Sequence, residues 1–275
     1  MTELKALIFD VDGTLADTEK DGHRVAFNQA FQSAGLDWNW SIQQYGELLE
    51  TTGGKERILH YVQTCHPQLY SHASLTNLIE KIHQLKSHYY GEVLKSGVVS
   101  LRPGIRRLFI EAKSAGIQLA IATTSSHANT LSLLENLIGI ESPSWFTVIG
   151  SGDRVTLKKP APDVYRYVLE KLGLPATACL AIEDSHHGLK SSLAAGLPTV
   201  ITVSTYTQLQ DFNGALVVLD HLGDPGNPCR ILSQSFKDSL HGRGGTSLVF
   251  PWINVAQLQH LRELTNEPLE FLVPP

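Results

Sequence analysis

The sequence predicts an α/β fold, a parallel sheet with helices on both faces, into which an all-helical domain is inserted. From Leu101 onward, short apolar runs alternate with amphipathic helical segments, as they do in βαβ units. One further short apolar run, residues 4–9, lies near the N-terminus. Between these regions, residues 18–97 show only the spacing typical of helices. We therefore expect a discontinuous core domain at 1–17 and 98–275, with a helical domain at 18–97.

The core elements are predicted in order along the chain. Short apolar runs that end in acids, glycine or hydroxyl residues predict strands at 4–9, 117–122, 146–149, 178–182 and 199–203. Helical spacing predicts helices at 103–115, 131–137, 164–172, 189–195 and 255–264. Pro103 is well placed to begin the first of these helices, and Gly116 and Gly196 are placed to end two of them.

Composition excludes several classes of function. The 275 residues are 42% hydrophobic and 18% charged, which is typical of a globular protein. The net charge of −5 and the lack of a long Lys/Arg run argue against a nucleic-acid partner. The three cysteines are scattered without a CxxC pair, so neither a zinc site nor a disulfide framework is indicated. With no signal-peptide pattern and no membrane span, we expect a cytoplasmic monomer that does not bind membranes.

The first predicted strand ends in two closely spaced acids, Asp10 and Asp12, followed by Gly13. Carboxylates at the carboxyl end of a strand lie where open α/β sheets bind their ligands. Two close carboxylates repel each other unless a cation or a shared proton lies between them. The pair therefore suggests a hard metal ion, with one acid as nucleophile and the other as acid/base partner. The alternative is a helix N-cap aspartate beside a turn aspartate.

Three later segments also place polar residues where a strand ends. Residues 123–126 offer hydroxyls and backbone N–H groups that suit a phosphate, or else a serine that only caps the next helix. Lys158 and Lys159 precede two prolines that would hold a cation in place, although such a turn is often merely solvated. Glu183 and Asp184 supply further acids, or else a helix cap. Together the four strand ends carry an acid pair, hydroxyls, lysine and acids.

In this order, the four segments resemble the motifs of the haloacid dehalogenase (HAD) superfamily. The resemblance implies a HAD-like Rossmannoid sheet, and the helical insert matches the C1-type cap of that superfamily. Four stretches, at 17–24, 51–57, 158–165 and 182–188, are similar to the CbbY-like subgroup of sugar-bisphosphate phosphatases. The chain from about residue 220 is longer than a minimal core of this kind needs.

The resemblance implies roles for the core residues. Asp10 would attack phosphorus and become an aspartyl phosphate, and Asp12 would protonate the leaving oxygen and then activate water. Mg²⁺ would be held by the Asp10 carboxylate, the Asp12 backbone carbonyl and the Asp184 carboxylate, with Glu183 assisting. The transferring phosphoryl group would be bound by the Thr123 hydroxyl, the Thr124 N–H and Lys159.

The cap would bind the rest of the substrate. Lys55 and Arg57 follow a flexible Gly-Gly turn and are candidates for a second anion site, together with His23 and Arg24. Lys86, on a later cap helix, is a further candidate, and a solvated helix face is the alternative for all five. In many relatives the cap histidine lies one residue nearer the first motif than His23 does here. Either the loop carries an extra residue or His23 has another role.

The resemblance implies a small-molecule substrate, a sugar phosphate such as xylulose-1,5-bisphosphate. A β-phosphoglucomutase-type phosphotransferase shares the same core residues and the same cap, so the core motifs do not separate the two reactions. A third alternative is a non-catalytic binding or regulatory protein of the same fold. Such a protein is expected to have lost Asp10, Asp12 or Lys159, and all three are present here.

Overall fold

A six-stranded parallel sheet forms the centre of the molecule. The computed structural model describes residues 3–70, 73–232 and 251–263. The strands are β1 (Ala6–Phe9), β2 (Gln118–Ala122), β3 (Phe146–Gly150), β4 (Cys179–Glu183), β5 (Thr199–Thr202) and β6 (Val217–Leu219). Their order in the sheet is β3-β2-β1-β4-β5-β6, so β1 lies at its centre. The predicted α/β class and parallel sheet are confirmed.

Helices cover both faces of this sheet, because alternate residues of each strand point to opposite sides. Leu7 and Phe9 lie in a core shared with residues of α6 (Ile105–Ser114) and α7 (His127–Leu137). Ala6 and Ile8 lie in a second core on the other face. That face is covered by α8 (Asp163–Leu172) and α9 (His186–Ala194).

Between β1 and α6, the described residues form helices joined by loops, and no strand. This part of the chain contains a π-helical turn (Glu19–His23), α1 (Arg24–Ser33), α2 (Ile42–Leu48), α3 (Gly54–Cys65), α4 (Pro67–Tyr70) and α5 (Leu75–Lys95). We call residues 19–95 the helical insert. Its aromatic core is distinct from the two sheet cores, with Trp40 packed against Phe27, Phe31 and Tyr61. The domain limits at 17/18 and 97/98 stay predictions, since Tyr90 and Leu94 of α5 pack into a sheet core.

Two elements differ from the sequence-based expectation. The short strand β6 was not predicted, because three residues are too few to show a period. The C-terminal helix was predicted at 255–264, but the surface on which it packs was not. In the structure it is α10 (Val255–Glu263), and residue 264 lies outside the described residues. It packs on α6 and buries Leu258 and Leu261 in a sheet core. In the described ranges, no helix combines the length and the apolarity needed to cross a membrane.

Candidate active site

The parallel register brings the polar strand ends together. Phe9, the last residue of β1, pairs with Ile121 of β2 on one side and with Ile182 of β4 on the other. The Asp10 N–H continues this ladder by donating to the Ile182 carbonyl at 3.0 Å. The segments that follow β1, β2 and β4 therefore meet at one edge of the sheet, as expected for a ligand site in such a fold.

Three buried carboxylates and one lysine form the deepest part of the site. Ligand oxygens of Asp10, Glu183 and Asp184 all lie within 4.8 Å of one another. The ammonium of Lys159 lies 2.6 Å from Asp10 Oδ1 and 2.5 Å from Glu183 Oε1. The Tyr165 hydroxyl donates to the same Glu183 oxygen at 2.6 Å. A single lysine thus faces three acids that are shielded from water.

The electrostatics of this cluster favour an added cation. Burial raises the pKa of the Asp10 carboxyl well above its usual value; Lys159 opposes this rise, and Glu183 and Asp184 add to it. Burial and then the neighbouring Glu183 raise the pKa of Asp184 to about 8. Both shifts reflect burial and repulsion among the acids, which Lys159 and, for Asp184, Arg102 only partly offset, and a bound cation relieves such repulsion.

The residues present fit Mg²⁺, which takes oxygen ligands from a few carboxylates and keeps several waters. Gly13 has φ +92°, and a Cβ atom there would lie 2.1 Å from Asp184 Oδ2. Only glycine therefore lets Asp184 approach the loop that carries Asp10. Asp10, Glu183 and Asp184, three of the four expected ligands, are the residues that would hold the ion. The Asp12 carboxylate is directed elsewhere, which leaves only its backbone carbonyl for the role that the resemblance implied.

Asp12 has a different environment from Asp10, although the two are only two residues apart. Its carboxylate accepts hydrogen bonds from Thr18 Oγ1 at 2.6 Å and Ser125 Oγ at 2.5 Å, and lies 2.8 Å from His23 Nε2. Burial alone would raise the pKa of Asp12, but His23 and the two hydroxyl donors lower it well below its usual value. The Asp12 carboxylate is therefore fixed in place as an acceptor at the entrance to the acid cluster.

The alternative that residues at the strand ends only cap helices holds for some of them and not for others. Ser126 does cap α7, accepting from the Asn129 N–H, and Ser185 caps α9. Ser125 instead contacts Asp12, and Thr123 is buried with its hydroxyl accepting from the Ser125 N–H at 3.1 Å. Helix capping and site chemistry therefore use neighbouring residues of the same segments.

A cavity of about 260 Å³ lies between the helical insert and the core. Four of its lining side chains are cationic, Lys55, Arg57, Lys86 and Lys158, and three are acidic, Asp12, Glu19 and Asp153. His23 and Thr124 also line it, and Lys158 is the chain neighbour of Lys159 in the acid cluster. Four cationic side chains around one cavity favour an anionic ligand.

Lys86 is the basic residue whose charge is least compensated. Its side chain is buried, and its ammonium lies 5.3 Å from the ring centroid of Phe27 and 5.1 Å from that of Tyr90. Among the described residues, no carboxylate is within ion-pairing distance of it. Burial lowers the pKa of Lys86 to about 8. An anion in the cavity would supply the missing partner.

The other basic candidates lie in three different settings. Arg57 is buried and donates to the Tyr45 hydroxyl at 3.0 Å and the Leu48 carbonyl at 3.2 Å, so part of its guanidinium is already used. Lys55 is half exposed and lies 3.6 Å from a Glu80 oxygen. Arg24 does not line the cavity, because α1 directs it to the Lys20 and Trp40 carbonyls, at 3.1 and 3.3 Å.

Comparison with known proteins decides the family. The model of the haloacid dehalogenase-like hydrolases matches residues 7–202. The chain belongs to this family. It is 49% identical to the plasmid CbbY protein of Cupriavidus necator over 225 residues, 82% of this chain and 88% of that protein. It is 29% identical to a phosphorylated carbohydrates phosphatase of Thermotoga maritima over 73% of this chain and 85% of that protein. The prediction of a HAD-superfamily phosphatase is confirmed.

Solved structures of the family agree with this fold. The crystal structure of CbbY from Rhodobacter sphaeroides with phosphate is 41% identical in sequence, with a TM-score of 0.72. The match covers 79% of this chain and 94% of that one. A mutant of the same protein has been crystallised with xylulose-1,5-bisphosphate, again at a TM-score of 0.72.

Within this family framework, the sequence analysis missed several cavity residues, among them His83 and Glu19. His83 lies one helical turn before Lys86 on α5, so the i, i+3 spacing was a usable signal. Burial and the nearby Lys86, Lys55 and Lys158 lower the pKa of His83 to about 4, so this ring is neutral near pH 7. Glu19 also lines the cavity and accepts a hydrogen bond from the Tyr45 hydroxyl, a contact that the sequence does not indicate.

Proposed function

We propose that the protein is a Mg²⁺-dependent phosphatase that hydrolyses a small sugar bisphosphate through an aspartyl phosphate on Asp10, with xylulose-1,5-bisphosphate the favoured substrate. The observation that carries the proposal is the buried cluster of Asp10, Lys159, Glu183 and Asp184 next to the basic cavity. The mutant of the R. sphaeroides protein crystallised with that bisphosphate supports the choice of substrate.

In the first step, an Asp10 carboxylate oxygen attacks phosphorus and the bond from phosphorus to the sugar oxygen breaks. Lys159 stays paired with Asp10 and reduces the negative charge that the phosphoryl group brings. The departing oxygen takes a proton from Asp12. In the free protein the Asp12 carboxylate is ionised, and the negative charge of the bound substrate phosphate favours the uptake of one proton by Asp12 before the bond breaks.

In the second step, water attacks the phosphorus of the aspartyl phosphate, gives its proton to Asp12, and releases orthophosphate with Asp10 restored. Bound Mg²⁺ would offset the charge of the carboxylates and the phosphoryl oxygens. Asp10, Glu183 and Asp184 would hold it. The hydroxyl of Thr123 and the N–H of Thr124 are proposed to orient the phosphoryl group.

The second phosphate of the substrate is assigned to the basic cavity. Lys86 has no carboxylate partner among the described residues, and Lys55 extends from the same rim. Arg57 lines the cavity with a guanidinium that already makes two hydrogen bonds, so we give it a supporting role. We assign to His23 a contact with the Asp12 carboxylate and no role in binding the second phosphate of the substrate.

The direct test is orthophosphate release from a panel of sugar monophosphates and bisphosphates with and without Mg²⁺. We expect the highest kcat/KM for xylulose-1,5-bisphosphate, and no turnover without the metal. Asp10→Asn should abolish turnover and leave the circular dichroism spectrum unchanged, because the amide is not a nucleophile. Exposed Asp37→Asn is the matched control and should keep full activity.

Two outcomes would contradict the proposal. Folded protein with no turnover on any panel member would remove the phosphatase assignment for these substrates. Conversion of β-glucose 1-phosphate to glucose 6-phosphate without net phosphate release would favour the phosphotransferase alternative.

A further inference from the structure

The helical insert touches the backbone of the catalytic lysine from outside the core. The Thr52 hydroxyl donates to the Lys159 carbonyl at 2.8 Å. One residue earlier in the core, the Lys158 ammonium is paired with the Glu56 carboxylate at the start of α3. These two contacts join residues more than a hundred positions apart in the sequence, and they engage both Lys159 and its neighbour.

The space around Gly53 shows that these contacts are closely fitted. Gly53 has φ +95°, a conformation that side chains rarely adopt. A Cβ atom at this position would lie 2.2 Å from Glu56 Oε2 and 2.6 Å from Lys158 Nζ. Glycine at residue 53 therefore permits both the turn into α3 and the ion pair.

We propose that Thr52 and Glu56 are positioning residues that hold the Lys158–Lys159 backbone so that the Lys159 ammonium stays on Asp10. The inference rests on the proposed function, because it concerns the same reaction, but it adds residues that act through Lys159. On this view the insert does more than enclose the substrate. When residues 52–56 reach the core, they complete the geometry of the catalytic cluster.

The position of Lys159 explains why such support matters. Its ammonium bridges Asp10 at 2.6 Å and Glu183 at 2.5 Å. Its contribution to the transition state therefore depends on how closely the backbone holds it to Asp10. Loss of backbone support should lower kcat, whereas the substrate KM should change by less than about twofold.

The main test is Thr52→Val, which keeps the side-chain shape and removes the hydroxyl. With the substrate that the wild type turns over best, we expect kcat to fall about fivefold, the usual effect of losing one hydrogen bond. Thr52→Ser restores the donor and should recover most of the rate. Thr64→Val, at the other end of α3, removes a hydroxyl that bonds only within its own helix and should keep wild-type kcat.

The ion pair is tested separately with Glu56→Gln. Because the pair is partly exposed, we expect kcat to fall only about threefold at low salt. Near 1 M salt the wild type should approach the variant, since the Debye length there is only about 3 Å. Glu92→Gln removes an exposed acid paired with Lys95 within α5 and should show no such effect.

Hydrogen exchange gives a readout that needs no turnover. In Thr52→Val, peptides covering 48–57 and 152–163 should exchange faster than in the wild type and in Thr64→Val, while melting temperatures stay within about 2 °C. Unchanged kcat and exchange in Thr52→Val, or equal losses in Thr64→Val, would overturn the inference. Absence of turnover in the wild type would instead contradict the proposed function, and the exchange comparison would still decide whether residues 52–56 hold the loop.

Discussion

At the scale of single residues, the surroundings of Asp10 and Asp12 separate their chemistry. Asp10 faces Lys159 and two other acids, and burial raises its pKa. Asp12 accepts hydrogen bonds from Thr18 and Ser125. These bonds and the neighbouring His23 lower the pKa of Asp12 despite its burial. Environments that move the pKa values of neighbouring acids apart are a sign of divided acid–base roles.

Lys86 provides a residue-scale prediction in which binding and stability change in opposite directions. Its pKa of about 8 lies below the usual value for lysine. Below pH 8 Lys86 is mostly charged, and burial of this charge lowers the stability of the folded protein. Lys86→Met should therefore raise the Tm of the free protein by at least about 3 °C. It should also raise KM for a sugar bisphosphate about tenfold, because a charged hydrogen bond to phosphate is lost.

The pH dependence of kcat/KM in the wild type follows from the same pKa of Lys86. As pH rises through about 8, Lys86 loses its proton and kcat/KM should fall, whereas Lys86→Met should lack this fall. Lys95→Met, near the end of the same helix but exposed, is the control and should keep the wild-type profile. A wild-type kcat/KM that stays flat between pH 7 and 9 would exclude Lys86 as a charged ligand.

At the scale of elements, α10 extends the sheet core beyond the region that the family model matches. Leu258 is completely buried in the core that also contains Phe109 of α6. Leu258→Ala should lower the free energy of unfolding by about 2–5 kcal/mol, measured by urea denaturation. Kcat at 25 °C should be unchanged, since α10 contributes no residue to the cavity.

Leu209 supplies the control for this prediction. It is 100% exposed, so Leu209→Ala should change the free energy of unfolding by less than about 0.5 kcal/mol. If both leucine variants unfold at the same urea concentration, α10 does not contribute to the sheet core in solution.

Local patterns predicted most of the elements, while positions that depend on tertiary contacts were not accessible from the sequence. The apolar runs of β1 and β4 are short and end in acids, so both strands and their ligand-bearing ends were predictable. The Arg24 guanidinium is directed to the Trp40 carbonyl, a tertiary contact that no local pattern encodes. The strand β6 was missed for a different reason, because its three residues are too few to show a period.

At the scale of the whole molecule, the charge is divided between the two halves of the site. The chain carries a net charge of −5, yet the cavity between insert and core is lined by basic side chains. Asp10, Glu183 and Asp184 form a separate buried cluster at the strand ends, and none of these three lines the cavity. Under the proposed function, the substrate phosphate would be drawn to the cavity and the metal cation to the acid cluster.

This division predicts how metal and pH together set the stability of the fold. Asp184 has a pKa of about 8 in the folded protein, against 3.8 for the unfolded reference, so folding favours its protonated form. The contribution of Asp184 to the stability of the metal-free protein is therefore most favourable at acidic pH. It becomes less favourable as pH rises from about 4 towards 8. Mg²⁺ counters the repulsion of the ionised acids, so it should raise Tm more at pH 8 than at pH 6.

Differential scanning calorimetry at both pH values, with Mg²⁺ or with a chelator, measures this effect. Asp184→Asn should raise the Tm of the chelated protein at pH 8 and reduce the response to Mg²⁺, because one of the three repelling carboxylates is removed. Glu170→Asn is a suitable control, since this exposed acid lies on α8 and pairs only with Lys171 in the described structure. An equal Mg²⁺ response in Asp184→Asn and in the wild type would show that the ion stabilises the protein somewhere other than at the acid cluster.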